Sequence, residues 1–294
     1  MTHMKFKGCG TALLTPFKNN GADVDYDAVA RLVDRQVEAG VHFLVPLGTT
    51  GETPCLTEVE RIKILQVTRE HSQGRPILVG GGTNSLAQTI ASIKTLDPFG
   101  PDAFLIVVPY YNKPTQKGLF EYFKAVAEST DKDIVLYNVP GRTGANIEAE
   151  TTIRLAEEVP NIVAVKEASG RYAQISQVIR NRPEGFSVLS GNDDETLSLM
   201  ATGADGVISV ASNVDPARMV ALVEALERDD MKTARELHYK LMPLFKNCFV
   251  ESNPIPAKAA LAQLGLMENS LRLPLFPATE ATEAIMKETL AELF

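Results

Sequence analysis

Short, unbroken apolar runs alternate along this chain with longer stretches in which apolar residues recur every third or fourth position. The runs fall at residues 11–14, 43–46, 77–79, 104–108, 134–136, 162–165, 186–189 and 207–210. Most are continuously apolar and β-branched rather than alternating, as expected of strands covered on both faces in a parallel sheet. Between them, residues 26–39 carry Val29, Leu32, Val33 and Val37 on one stripe, and residues 58–70 read the same way, so both are predicted helices. Helix-start signals recur: Asp25 before Ala28, Thr57 with Glu60 three residues on, and Asn192–Asp193 before Leu197. Asn-Gly hairpin signals are nearly absent, and Asn20-Gly21 is expected to lead from the first strand into a helix.

Eight strand–helix units predict an α/β chain, most simply a closed (β/α)8 TIM barrel at the ~250-residue scale of that fold. A doubly wound open sheet competes, but it would leave more polar edge strands or split the units over two lobes. No run reads as an edge, and no Ser/Gly-rich linker divides the chain. After Glu227 the strand signal stops; residues 231–246, 255–265 and 279–293 read as three more helices, the middle one flanked at its start by Pro254 and Pro256. The expected division is a catalytic barrel over residues 1–226 and a C-terminal three-helix extension over 227–294. Met1–Met4 are left outside this reading.

Composition narrows the function classes. With 45% apolar residues the chain is no disordered tail, and no run approaches the ~18 apolar residues of a membrane span. The formal charge of −8, without long basic blocks, argues against nucleic acid or an anionic membrane as partner, while leaving room for a small anionic substrate held by a few local cations. Cys9, Cys55 and Cys248 are sparse and odd in number, and His3, His42, His71 and His238 are scattered, so neither a disulfide framework nor a metal site is expected. Residues 1–10 lack a signal-peptide core, and a cytoplasmic location is expected.

In such a barrel the chemistry sits just beyond the carboxyl ends of the strands, and there this chain places Gly48–Glu52, Tyr110-Tyr111-Asn112, Tyr137-Asn138, Lys166-Glu167, Ser190-Gly191-Asn192 and Ser209. Lys166 closes an apolar run. It is either a solvated lysine paired with Glu167 or a desolvated amine whose lowered pKa makes it a nucleophile toward a keto group. Tyr137 is either a rim aromatic or a proton shuttle in relay with a hydroxyl such as Thr50. The loop Gly48–Glu52 is an ordinary βα turn or a cradle of N–H groups and hydroxyls for a carboxylate. Arg142, on the constrained loop Pro140–Gly144, offers a guanidinium fork to a second carboxylate. Gly80-Gly81-Gly82-Thr83-Asn84 imitates a dinucleotide loop but has Ser85 where the last glycine belongs. Asp193 and Asp194 read as helix-start residues.

Taken together, GTTGE (48–52), YYNKP (110–114), YNVPGRTG (137–144), VKEASG (165–170), SGND (190–193) and GVISV (206–210) resemble the dihydrodipicolinate synthase family. That family belongs to the pyruvate-dependent, Schiff-base-forming aldolases related to N-acetylneuraminate lyase. The likeness spans nearly the whole chain. GTTGE and the strand-end lysine mark the superfamily, and the arginine of GRTG the synthase branch. The resemblance implies that Lys166 forms the imine with pyruvate and that Tyr137, Thr50 and Tyr111 form a proton relay, Tyr111 coming from a neighbouring subunit. It further implies that Thr49 and Thr50 hold the pyruvate carboxylate, that Gly191 and Ile208 line the site, and that Arg142 binds the carboxylate of L-aspartate-4-semialdehyde. The product would be 4-hydroxy-tetrahydrodipicolinate, on the route to diaminopimelate and lysine, made without a cofactor by a homotetramer of two tight dimers.

Two rival readings remain: an aldolase acting on a sugar acid or a 4-hydroxy-2-oxo acid, against which Arg142 weighs, and a non-catalytic metabolite-binding paralogue, against which Lys166 and Tyr137 weigh. The resemblance also implies a site for L-lysine near Asn84 and Tyr110. There Gln88 stands in place of a glutamate, and Glu58 and Arg61 in place of histidines. A neutral amide recovers only part of what a carboxylate gives an ammonium group, so weak or absent feedback by L-lysine is expected.

Overall fold

The structure, a computed structural model, describes residues 6–294, so the expectations for Met1–Met4 and His3 lie outside the described residues. Eight parallel strands carry the fold: β1 (Gly8–Ala12), β2 (Phe43–Val45), β3 (Leu78–Gly80), β4 (Ala103–Val107), β5 (Asp133–Asn138), β6 (Ile162–Glu167), β7 (Ser187–Ser190) and β8 (Gly206–Ser209). They run in the order β2-β1-β8-β7-β6-β5-β4-β3. The two ends meet through a parallel bridge between Leu44 and Ile77, with Leu44 N–H donating to Pro76 O at 2.9 Å and Gly80 N–H to Pro46 O at 3.0 Å. Closure removes the edges that the open-sheet alternative would have left. The chain is a (β/α)8 TIM barrel.

Almost every strand residue is buried, because one face lines the barrel and the other meets the helices. Ala12, Val45, Leu78, Leu105, Val135, Ala164, Leu189 and Ile208 belong to the inner cluster, and most of their apolar neighbours in sequence join the outer layer. The barrel helices are α1 (Tyr26–Glu38), α2 (Glu58–His71), α3 (Leu86–Leu96), α4 (Gln116–Ala127), α5 (Ala149–Glu158), α6 (Tyr172–Asn181), α7 (Thr196–Thr202) and α8 (Pro216–Glu227). Asp25 caps α1 by accepting from Ala28 N–H, and Thr57 and Glu60 close a capping box on α2, as their spacing predicts. Three further helices follow, α9 (Met231–Asn247), α10 (Ile255–Gln263) and α11 (Glu280–Leu293), and their apolar residues continue the outer layer of the barrel.

Several expectations are corrected. The first strand is Gly8–Ala12 rather than 11–14: its ladder to β8 runs from Gly8↔Gly206 to Thr11↔Ser209, whereas Leu13 and Leu14 bond to Val45 O and Asn213 Oδ1. Asn20-Gly21 does not lead directly into a helix. It turns a small antiparallel hairpin between Phe17–Lys18 and Asp23–Val24, with Asn19, Asn20 and Gly21 all at positive φ. The glycines that end and follow β3 answer to packing, since a Cβ at Gly80 would lie 1.9 Å from Leu47 O and one at Gly82 2.6 Å from Val107 N. Asp193 starts no α-helix directly. It opens a short 3₁₀ turn, and its carboxylate accepts the Val210 and Ala211 N–H groups at 3.0 Å each. Glu167 does not pair with Lys166 either, because adjacent strand residues face opposite sides. Its carboxylate lies in the outer layer with Asn138 Nδ2 at 2.9 Å and Ser169 Oγ at 2.6 Å.

Candidate active site

Tyr137 and Lys166 belong to the strands themselves: β5 and β6 extend past their apolar runs, and the two residues are direct ladder partners. Period-two alternation puts both side chains in the barrel mouth, on the side of Val135 and Ala164. Lys166 Nζ stands 4.3 Å from the centre of the Tyr137 ring, and the lysine is only 6% exposed. Burial is the main cause that brings its ammonium down from 10.5 to about 8; Arg142 pushes the same way, and buried Asp193 opposes them. Burial likewise raises the Tyr137 phenol, against the pull of Arg142 and of a hydrogen bond with Thr49. Gly191 makes the room that the lysine needs, since a Cβ there would lie 3.0 Å from Lys166 Cε and 2.7 Å from the Ala168 Cβ. Ile208 belongs to the same inner cluster.

Thr49–Gly51 form a 3₁₀ turn after β2, ended by Glu52 at φ 51°. Its two hydroxyls separate. Thr49 meets Tyr137, whereas buried Thr50 accepts a hydrogen bond from Asn253 Nδ2 at 2.9 Å. The hydroxyl that bonds to the tyrosine within this chain is that of Thr49. Arg142 sits on the single helical turn Pro140–Thr143 at the rim, exposed, with Nη2 3.4 Å from Asn253 O. Asn253, just ahead of α10, touches both groups, and no pattern in its local sequence signals this.

Tyr111 is not brought to this site within one chain. It is 88% exposed and held at φ 74°, with its N–H on Thr143 O at 3.2 Å. A large side chain is uncommon in that backbone region. Asn84 and Tyr110 do meet, Asn84 Nδ2 donating to Tyr110 O at 3.1 Å. The neighbouring residues are engaged elsewhere: Arg61 donates to Ser92 on α3, Glu58 accepts from Thr95 at 3.4 Å, and Gln88 is exposed.

The arrangement offers a desolvated amine beside a phenol, hydroxyls and N–H groups on one side, and a guanidinium at the entrance. Comparisons with known proteins identify its relatives. The Dihydrodipicolinate synthetase family matches residues 5–293. The 4-hydroxy-tetrahydrodipicolinate synthase of Koribacter versatilis is 49% identical over 291 residues, covering 98% of this chain and 96% of that protein. That of Thermotoga neapolitana is 47% identical, covering 98% of each. The crystal structure of dihydrodipicolinate synthase from Thermotoga maritima superposes with a TM-score of 0.96 at 46% identity, covering 99% of both chains.

Proposed function

The chain belongs to the dihydrodipicolinate synthetase family, and from that premise we propose that it condenses pyruvate with L-aspartate-4-semialdehyde to 4-hydroxy-tetrahydrodipicolinate. The observation that carries this reading is the buried Lys166 amine against the Tyr137 ring in the barrel mouth, with Arg142 at the rim. The neutral amine attacks the keto carbon of pyruvate. The carbinolamine then loses water to give an imine, with Tyr137 and Thr49 passing the protons. Deprotonation of the pyruvate methyl group yields an enamine, whose carbon attacks the aldehyde. The amino group of the semialdehyde displaces Lys166 and closes the ring, and the free lysine returns. Thr49 and Thr50 hold the pyruvate carboxylate, Gly191 and Ile208 line its seat, and Arg142 takes the carboxylate of the semialdehyde. The lysine imine is itself the electron sink, so no cofactor is invoked.

Borohydride reduction in the presence of pyruvate tests the reading: mass spectrometry should find one adduct per chain, on Lys166, and an adduct elsewhere or none would refute it. Arg142→Ala should still trap pyruvate while losing about 2–3 kcal/mol of interaction with the second substrate, a ~30- to 150-fold fall in kcat/KM for the semialdehyde. Faster cleavage of a sugar acid by the wild type would instead favour the aldolase reading.

In this reading residues 1–226 are the catalytic barrel and 227–294 its extension, and the protein works in the cytoplasm as a dimer of tight dimers. Among the described residues no helix is long and apolar enough to cross a membrane. The support for assembly is the strained, solvent-facing Tyr111, which completes a neighbour's relay rather than its own. L-Lysine is expected to inhibit weakly or not at all, because Gln88 is neutral and Arg61 and Glu58 are turned to α3. Strong inhibition at submillimolar L-lysine, in a steady-state assay at saturating pyruvate, would overturn this.

A further inference from the structure

The threonine loop ends on a residue that the chemistry above leaves unused. Glu52 donates its N–H to Thr49 O at 3.1 Å and holds a left-handed backbone that residues other than glycine rarely adopt. Its side chain is fully buried and points away from the barrel mouth, into the C-terminal extension. There Lys258 Nζ on α10 stands 2.5 Å from Glu52 Oε1, and it too is 0% exposed. Lys258 also donates to Ser270 O at 2.9 Å and lies 4.1 Å from the centre of the Phe17 ring. The other carboxylate oxygen accepts the Arg272 N–H at 3.1 Å. The Arg272 guanidinium is locked in turn by Glu60 at 2.6 and 2.8 Å, by Gly21 O at 2.7 Å and by the face of Phe17 at 4.5 Å. With Asn253 on Thr50, the extension therefore grips the loop at two points.

Stability alone does not account for such a pair, since well-packed apolar residues of similar size serve as well or better in a buried site. What charge adds is direction and balance. One carboxylate oxygen of Glu52 pairs with the Lys258 ammonium and the other accepts the Arg272 N–H, and this favours one orientation of the turn that carries the Thr49 and Thr50 hydroxyls. Lys258 cancels a buried anion next to a loop meant to receive a substrate carboxylate. We propose that Glu52, Lys258 and Arg272 are positioning residues for the pyruvate-carboxylate subsite, so that the C-terminal extension builds part of the active site from behind. This rests on the reading of Gly48–Glu52 as the pyruvate cradle.

The test is the double variant Glu52→Gln/Lys258→Met, which removes both charges and leaves none unpaired. With the wild-type fold retained by circular dichroism, its pyruvate KM should rise at least about tenfold while the KM for the semialdehyde stays within about twofold of wild type. A pyruvate KM unchanged within about twofold, or an equal rise for both substrates, would show a merely structural role. A second measurement uses the wild-type chain and needs no variant. Trapping pyruvate with borohydride should slow amide hydrogen exchange in residues 48–56 and 270–273 together, the Arg272 N–H included. Protection confined to 48–56 would overturn the link. The two readings fail separately: absence of the wild-type adduct on Lys166 defeats the mechanism, whereas an intact adduct with unchanged pyruvate affinity in the double variant defeats the positioning role.

Discussion

Lys166→Ala should abolish the borohydride-trapped pyruvate adduct and lower kcat by about 10⁴-fold or more, because it removes the desolvated amine that attacks the keto carbon. Lys166→Arg should fail equally: it keeps the positive charge, but a guanidinium stays protonated and cannot add to a carbonyl. The loss should be chemical rather than structural. Removing a desolvated amine from a site that is 6% exposed leaves no broken ion pair with Glu167, whose carboxylate is bonded to Asn138 and Ser169 in the outer layer. The melting temperature should therefore hold while the adduct disappears. The wild-type pH profile carries the same message. With the Lys166 ammonium brought down to about 8, mainly by burial, the amine is protonated below that pH and neutral above it. At pH 7 about one amine in ten is free to react, a fraction that an exposed lysine reaches only two to three pH units higher. The single-turnover rate of imine formation should rise about tenfold per pH unit below pH 8 and level off above it. A rate still climbing between pH 9 and 10 would contradict the desolvated setting.

The second large effect is expected at the phenol. Tyr137→Phe removes one oxygen and keeps a ring that belongs to the inner cluster of the barrel, so packing should survive. Proton transfer by a placed side chain contributes about 10²- to 10⁴-fold, and kcat should fall within that range. The fall should appear in single-turnover formation and dehydration of the carbinolamine. The two threonines can be separated in the same assay. Thr49→Val removes the hydroxyl that meets Tyr137 and should act mainly on kcat. Thr50→Val removes the acceptor of the Asn253 hydrogen bond and should act mainly on the pyruvate KM. If Thr50→Val carried the larger kcat effect, the relay would run through Thr50 after all.

Much of this molecule is legible in its residues taken in order. Strands buried on both faces are mostly apolar, so short, largely apolar runs spaced by amphipathic stretches already point to a parallel sheet, most simply a closed barrel. A lysine or a tyrosine directly after such a run must lie at the mouth. The motif strings that resemble a Schiff-base aldolase family lie at strand ends for the same reason. Helix starts at Asp25 and Thr57 are equally local, since each cap involves residues within one turn.

Tertiary structure alone decided the rest, because the deciding contacts join distant parts of the chain. Which threonine faces Tyr137 depends on a turn whose second hydroxyl is claimed by Asn253, 203 residues away. Asp193 looks like a helix start, yet its carboxylate turns inward to the N–H groups that follow β8. Lys258 is a lone cation in a buried, alanine-rich helix, and only its approach to Glu52 explains how that charge is tolerated. Local sequence reports whether a residue favours strand, helix or turn, and period two or 3.6 reports which face it shows. The partner that meets that face is set by the barrel register and by the return of the C-terminal extension, and neither leaves a periodic trace in the chain.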